Sequence, residues 1–408
     1  MLKKIVLLSA AVSVMGATGA VSAATCDAKD ELVIGDHQPL SGTLAGLGTE
    51  THRGVILAVK HYNEGTHPLN PTPCLHVGGK KYKLKEVVYE SKCTAEGGIA
   101  AAKRLVFNDG VKYVVGSVCS GAIMASADAV FEPNKVLYMN TGWNPNVIGT
   151  DKPFAFRLNP TAVEYGQAFW QWATTGGLPD VKKAGYLVHD NEAGRGAAPG
   201  ALKLMRSFGM ETIEPEFWPV GTTDFYPYLT RILAQKPDYI NIGSTPTDEG
   251  LMFKQLRELG YEGYIHGLCN SPEVTIKAAG STKAEGLFCM YPVDWDSGPP
   301  NITPEMERIR DEYRATWPGE EPAMLMLGVY DATVGLLEAM KMARTVEDTT
   351  KVRDVLEKFN WMLSTGYMTS WGGKKTAGIA HQVVQPVPVS QIKNGKATVV
   401  AMPIVAVP

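Results

Sequence analysis

From Glu31 onward the chain alternates two kinds of segment: short apolar runs rich in β-branched residues, and longer stretches whose apolar positions recur every three or four residues. The runs LVIGDH, YKLKEVVYE, KYVVGSV, KVLYMNT and FAFRL predict strands, and THRGVILAVKHYNEG and TAEGGIAAAKRLVFNDG predict helices between them. In the second helix Ile99, Ala102, Leu105 and Val106 share a face, with Thr94, Gly97 and Asn108 as start and stop signals near its ends.

A second series begins after Pro160. Its strands are KKAGYLVHD, DYINIGS, YEGYIHGLC and EGLFCMY; its helices are TAVEYGQAFWQWATT, GAAPGALKLMRSFG, DFYPYLTRILAQK and TDEGLMFKQLREL. Three more helices follow, TPEMERIRDEYRATW, PAMLMLGVYDATVGLLEAMKMA and TTKVRDVLEKF, and then strand-like pieces, HQVVQPVPV and KATVVAM. Strands alternating with helices of this length predict an α/β protein with parallel sheets wound on both sides. No Gly/Ser-rich linker separates the two series, so short crossings must join them. Two such halves leave a cleft lined by the ends of their strands.

Residues 1–23 combine Lys3 and Lys4, an apolar stretch from Ile5 to Met15 and small residues at Val21–Ala23, the pattern of a secretory signal peptide. The apolar stretch is shorter than the roughly 20 residues of a membrane-spanning helix. Thr25 stands where a lipid-attachment site before Cys26 would have Gly or Ala, so the expected product is free and soluble. Removal of the leader takes the formal charge from −3 to −5 over 385 residues. A mildly acidic surface gives phosphate backbones little to hold, which argues against nucleic acid as a partner. At 45% hydrophobic residues the chain can build two domain cores.

Export gives the six cysteines, 26, 74, 93, 119, 269 and 289, a disulfide context. Six residues allow 15 complete pairings. Pairing neighbours would join 26 with 74, 93 with 119 and 269 with 289; buried thiols are the alternative.

In VGSVCSGAIMASADAV, Cys119, Ser120 and Gly121 fall on the turn between a strand and a helix. A hydroxyl at a helix start beside the Gly121 and Ala122 amides suits an anion, and it equally suits an ordinary N-cap. His189 and Asp190 end a strand without a third ligand at metal-site spacing. G-x-S-x-G, H-E-x-x-H and P-loop motifs are absent, which argues against the commoner secreted hydrolases and nucleotide enzymes.

The segments LVIGDHQPLSGTLAGLGTETHRGVILAVKHYNE, ESKCTAEGGIAAAKRLVFNDGVKYVVGSVCSG, AGYLVHD and AEGL resemble the periplasmic binding proteins of the leucine/isoleucine/valine type, the substrate receptors of ABC importers. PLSG and NDGVKYVVG are the most specific pieces. The resemblance implies two doubly wound lobes joined by three crossings: residues 27–158 and 292–366 in lobe one, 159–291 and 367–408 in lobe two. The crossings would lie near Asn159, Tyr291 and Thr365. It also implies a Cys93–Cys119 disulfide and a ligand carboxylate held by Ser120, Gly121 and the turn Thr141, Gly142 and Trp143. From lobe two it implies Arg195, Ser244, Thr245, Cys269 and Asn270. Family members that bind amino acids place a carboxylate where this chain has Cys269 and Asn270, so the ligand is expected to be either a carboxylate without an α-amino group or an amino acid served by Asp248, Glu249 or Glu273.

The function implied is a periplasmic, monomeric receptor for a small carboxylate or hydrophobic amino acid, delivering it to an ABC permease and its ATPase subunits without a cofactor, metal or covalent chemistry. The same fold also serves ligand-sensing partners of signalling proteins; an exported enzyme is the remaining alternative.

Overall fold

The computed structural model describes residues 25–179, 181–269, 271–280, 284–290, 295 and 302–405. The expected signal peptide, Asn270 and the crossing near Tyr291 lie outside these residues.

Asp30–Gln38 is buried from Leu32 onward apart from the half-buried Val33, with Asp36, His37 and Gln38 buried at its end, and it pairs in parallel with Lys80–Glu90 on one side and Tyr113–Gly116 on the other. Among the described residues the first sheet has, in spatial order, Ser370–Gly372, Gln382–Val384, Ala155–Arg157, Leu137–Asn140, Tyr113–Gly116, Asp30–Gln38, Lys80–Glu90 and Leu75–Val77. Its two outermost pairings are antiparallel and the inner ones parallel. The second sheet runs Lys396–Ala401, Val389–Lys393, Phe288–Cys289, Tyr264–Gly267, Tyr239–Gly243, Lys183–His189 and Glu211–Thr212, with Glu216–Trp218 also paired to Lys183–His189. Side chains alternate across it: Ala184, Tyr186 and Val188 enter one core and Leu187 the other. These are the two α/β lobes expected. Helices Pro304–Thr316, Met324–Ala343 and Thr349–Leu356 send Met306, Leu327 and Val352 into the core of the first sheet.

One boundary differs from expectation. The segment HQVVQPVPV holds one short strand and reaches only the first residue of another in a different sheet: Gln382–Val384 pairs with Ala155–Arg157 in the first, and Val389–Lys393 with Phe288–Cys289 in the second. The chain therefore crosses at residues 385–388 rather than near Thr365, and 370–384 belong with the first sheet. Pro386 and Pro388 explain the break, because each lacks the N–H that would continue a ladder.

Disulfides join Cys26 to Cys74, Cys93 to Cys119 and Cys269 to Cys289. The second links the turns that follow Lys80–Glu90 and Tyr113–Gly116, the strands flanking Asp30–Gln38, with its Cα atoms 5.2 Å apart. Close packing brings the turns together: a Cβ on Gly98 would lie 2.5 Å from the Ala122 carbonyl oxygen, so the helix Ala95–Lys103 rests directly on Ser120–Ser126.

The double substitution Cys93→Ala/Cys119→Ala is expected to lower unfolding free energy by about 3–4 kcal/mol on the chain-entropy estimate. Denaturant unfolding checks this; a loss below about 1 kcal/mol would show that the bridge does not constrain the unfolded chain.

Candidate ligand-binding site

The site starts at the end of the strand Tyr113–Gly116. Gly116 has φ 124°, and a Cβ there would lie 2.4 Å from the Asp36 carboxylate, so only glycine permits this approach. Ser117 follows at φ 54°. Its N–H donates to Asp36 Oδ1 at 3.0 Å, and its carbonyl accepts the Thr141 N–H at 3.0 Å and the Thr141 hydroxyl at 2.9 Å. His37 lies between the hydroxyls of Ser117 (3.1 Å) and Ser126 (3.0 Å), and burial pushes its imidazole down to about 4. A neutral ring thus braces the turn from beneath.

The helix Ser120–Ser126 then begins with Cys119 at its N-cap. The Cys119 sulfur is committed to the disulfide and makes no capping bond, which leaves the first-turn amides uncapped. Ser120 Oγ accepts the N–H groups of Trp143 (3.0 Å) and Asn144 (3.1 Å). With both lone pairs engaged, its proton is what remains to offer, so the hydroxyl is a donor suited to an anionic acceptor.

Ser120 lines a cavity of about 420 Å³ between the lobes. Lobe one contributes Ser120, Gly121, Thr141 and Trp143, and lobe two contributes Tyr186, His189, Glu192, Ser244 and Thr245. The walls between them are apolar, from Leu44, Leu47, Val118, Val188, Leu268 and Leu325. Trp143 stacks on Tyr165, ring centroids 5.9 Å apart and planes 7° from parallel. Two more helix starts open onto the cavity. Asn191 caps Glu192–Ser207 by accepting the Gly194 N–H at 2.9 Å, and Thr245 caps Pro246–Glu258 by accepting the Asp248 N–H at 3.3 Å. Three converging helix N-termini favour negative charge.

The lobes touch at the cavity margin. Asn144 Nδ2 donates to the Glu192 carbonyl at 2.9 Å, above Gly196, where a Cβ would lie 2.5 Å from that nitrogen. Ser271 Oγ donates to Glu50 Oε2 at 3.2 Å, and burial pushes the Glu50 carboxyl up to about 8.

Of the residues expected at the site, Ser120, Gly121, Thr141, Trp143, Ser244 and Thr245 line the cavity. Gly142 does not; it packs behind the turn, its N–H donating to Asn140 Oδ1 at 3.1 Å, and a Cβ would lie within 2.9 Å of Val147 and Ile123. Arg195 is also displaced: one helical turn past the N-cap it faces solvent, bonded to Asp190 at 2.7 Å and stacked over Phe217 at 4.1 Å, while Ala193 and Gly194 face the cavity instead. Cys269 is fully buried, bridged to Cys289 and one layer behind Leu268. The acids weighed as alternatives are turned elsewhere. Asp248 Oδ2 meets His189 Nε2 at 2.7 Å and the Ser244 hydroxyl at 3.2 Å. Glu249 accepts the N–H groups of Leu268 (2.6 Å) and Cys269 (2.8 Å), and burial outweighs those bonds to push its carboxyl up to about 8. Glu273 is exposed and outside the cavity lining. Among the described residues no three His, Cys, Asp or Glu side chains converge as a metal site, and no helix is long and apolar enough to cross a membrane.

Tyr186, His189, Asn191 and Glu192 were not anticipated in the lining. Their signal was available: Tyr186 and Val188 occupy alternate positions of one strand, and NEAG marks a helix start directly after it.

Substituting Ser120→Ala is expected to lower anionic-ligand affinity about tenfold or more, as for loss of a hydrogen bond to a charged group. Because Trp143 and Asn144 also lose their acceptor, unliganded stability should fall by about 1–3 kcal/mol. Calorimetry of binding and of unfolding separates the two effects; unchanged affinity would place the anion elsewhere.

Comparison with known proteins accords with this architecture. The profile of the periplasmic binding protein family matches residues 31–397. The leucine-, isoleucine-, valine-, threonine- and alanine-binding protein of Pseudomonas aeruginosa is 21% identical over 348 residues, 83% of this chain and 85% of that protein. A leucine-binding protein of Thermotoga maritima superposes with a TM-score of 0.74 at 22% identity, over 91% of this chain and 98% of that one. An ABC transporter solute-binding protein from R. palustris, in complex with benzoate, gives 0.75 at 18% identity, over 92% and 98%. These solved structures share the two-lobed fold, and with the family profile spanning nearly all the described residues, the chain belongs to the periplasmic binding protein family.

Proposed function

We propose that this protein is an extracytoplasmic solute receptor that captures a small carboxylate without an α-ammonium group, such as an aromatic or short aliphatic acid, and hands it to an ABC permease. The observation that carries this reading is the disposition of acids around the cavity. At one end, the Ser120 hydroxyl and an uncapped helix start supply donors for a carboxylate. Asp248 and Glu249, the acids nearest the lobe-two turns, are held in protein hydrogen bonds. A buried ammonium without a paired acid would lose hydration that nothing replaces. The apolar walls and the Trp143 face suit a flat hydrocarbon body. A relative of the same fold holds benzoate. Export by the leader sequence and lobe closure at the Asn144–Glu192 contact complete the receptor role.

A hydrophobic amino acid is the second reading, favoured by one observation: the Glu192 side chain lines the cavity from the solvent-exposed start of its helix. Relatives named for leucine, isoleucine and valine point the same way.

Thermal-shift measurements on matched pairs distinguish the two: leucine against its deaminated analogue 4-methylpentanoate, and phenylalanine against 3-phenylpropanoate. The deaminated acids are expected to raise the melting temperature more than the amino acids, since ligands that bind only the folded state stabilise it by mass action. Stabilisation by the amino acids alone would establish the second reading.

A further inference from the structure

Tyr186 is a feature of the cavity that carboxylate capture leaves unused. It sits in the middle of the strand Lys183–His189 and is 2% exposed. Its ring belongs to the lobe-two core, while its hydroxyl forms no hydrogen bond among the described residues. Burial alone pushes that hydroxyl's pKa upward, with no neighbouring charge or bond contributing. The hydroxyl is not among the fully buried unpaired polar atoms; it borders the cavity, where a ligand group can meet it, and a Tyr hydroxyl at an apolar wall normally takes such a partner.

The surroundings keep the hydroxyl open. Gly243, on the adjacent strand Tyr239–Gly243, has no side chain, and a Cβ there would lie 3.0 Å from the Tyr186 oxygen. Tyr186, Trp143, Gly243 and Leu268 line the main cavity and also a small annex of about 10 Å³ inside lobe two. That volume is about what one water or one ligand heavy atom requires. Asn241 lines the annex as well, its amide N–H turned to the Tyr239 hydroxyl at 3.2 Å and its carbonyl oxygen without a partner among the described residues. A donor-acceptor hydroxyl and a carbonyl acceptor thus border the cavity and its annex at the lobe-two side, and the anion donors stand on lobe one.

We propose that Tyr186 is a specificity-determining residue that binds a hydroxyl group on the part of the ligand remote from its carboxylate, so that the preferred ligands are hydroxylated small carboxylic acids. This rests on the carboxylate being anchored at Ser120, and it holds whether or not the ligand also carries an ammonium. The phenolic O–H of Tyr186 donates to the ligand hydroxyl, whose own proton is directed to the annex, where Asn241 or a single water accepts it. A ligand lacking the hydroxyl leaves these buried groups unmet, and a site built to hydrogen-bond a hydroxyl discriminates strongly against such analogues.

The test is calorimetric, on wild type and Tyr186→Phe, with two ligand pairs that differ by one hydroxyl: benzoate with 4-hydroxybenzoate, and L-phenylalanine with L-tyrosine. Wild type should bind the hydroxylated member of its favoured pair at least tenfold more tightly. Tyr186→Phe should abolish that preference by weakening the hydroxylated member, while the unsubstituted member binds at least as tightly as to wild type and the unliganded melting temperature does not fall. If the amino-acid pair is the favoured one and shows the preference, the ammonium-free reading fails and the role of Tyr186 stands. Equal affinities within both pairs, a preference that survives in Tyr186→Phe, or no binding of any of the four by wild type would overturn the proposal.

Discussion

The Ser120 hydroxyl is the point at which the site's geometry is fixed. Its oxygen gathers the N–H groups of Trp143 and Asn144, so the turns after two neighbouring strands are set against each other through one atom. The Cys93–Cys119 bridge, the Asp36 carboxylate under Gly116 and the Ser117–Thr141 bonds hold that atom from three sides. Accepting two backbone bonds determines the polarity the hydroxyl shows the cavity. What faces the cavity is a proton, beside amides that the disulfide-bonded Cys119 cannot cap.

An anion placed there meets three helix starts and apolar walls. In such surroundings charge is stabilised by fixed dipoles rather than by water, and an unpaired cation would be destabilised by the same arrangement. Asp248 and Glu249 illustrate how acids close to a site can take no part in it. One is oriented by His189 and Ser244, and the other is buried against the amides of 268–269 and shifted toward its neutral form. Across the cleft the lobes meet through small contacts such as Asn144 over Gly196. Contacts of that size are compatible with an open-closed equilibrium that a ligand can shift by its own binding energy.

Much of this was legible in the sequence, for physical reasons that differ by element. Long strands and helices with a clear period, such as YKLKEVVYE and the helix around Ile99, appear where the pattern predicts them. Ser120 and Trp143 were expected from the family resemblance, Ser120 also from its place at a helix start, and both line the cavity. The failures are equally specific. Leu75–Val77, Glu216–Trp218 and Ser370–Gly372 are three residues long, too short for a period of two to register. The apolar content of HQVVQPVPV suggests one strand and masks what two prolines imply; the third crossing, placed near Thr365 by the family resemblance, lies instead where those prolines interrupt the ladder. Arg195 was drawn into the site by its place in a motif, whereas helical rotation turns it outward to Asp190 and brings Ala193 inward. Tyr186 is harder to place, since a tyrosine inside a strand normally belongs to the core; its alternation with Val188 and the missing side chain at Gly243 put it at the cavity.

The central claim, that the interlobe cavity selects a carboxylate and leaves an ammonium unserved, is tested most directly by identifying what the protein carries. Mass spectrometry of the small molecule released on denaturing the protein purified from its own cells should yield a carboxylic acid with no α-amino group. Release of an α-amino acid in a one-to-one ratio with the protein would contradict it.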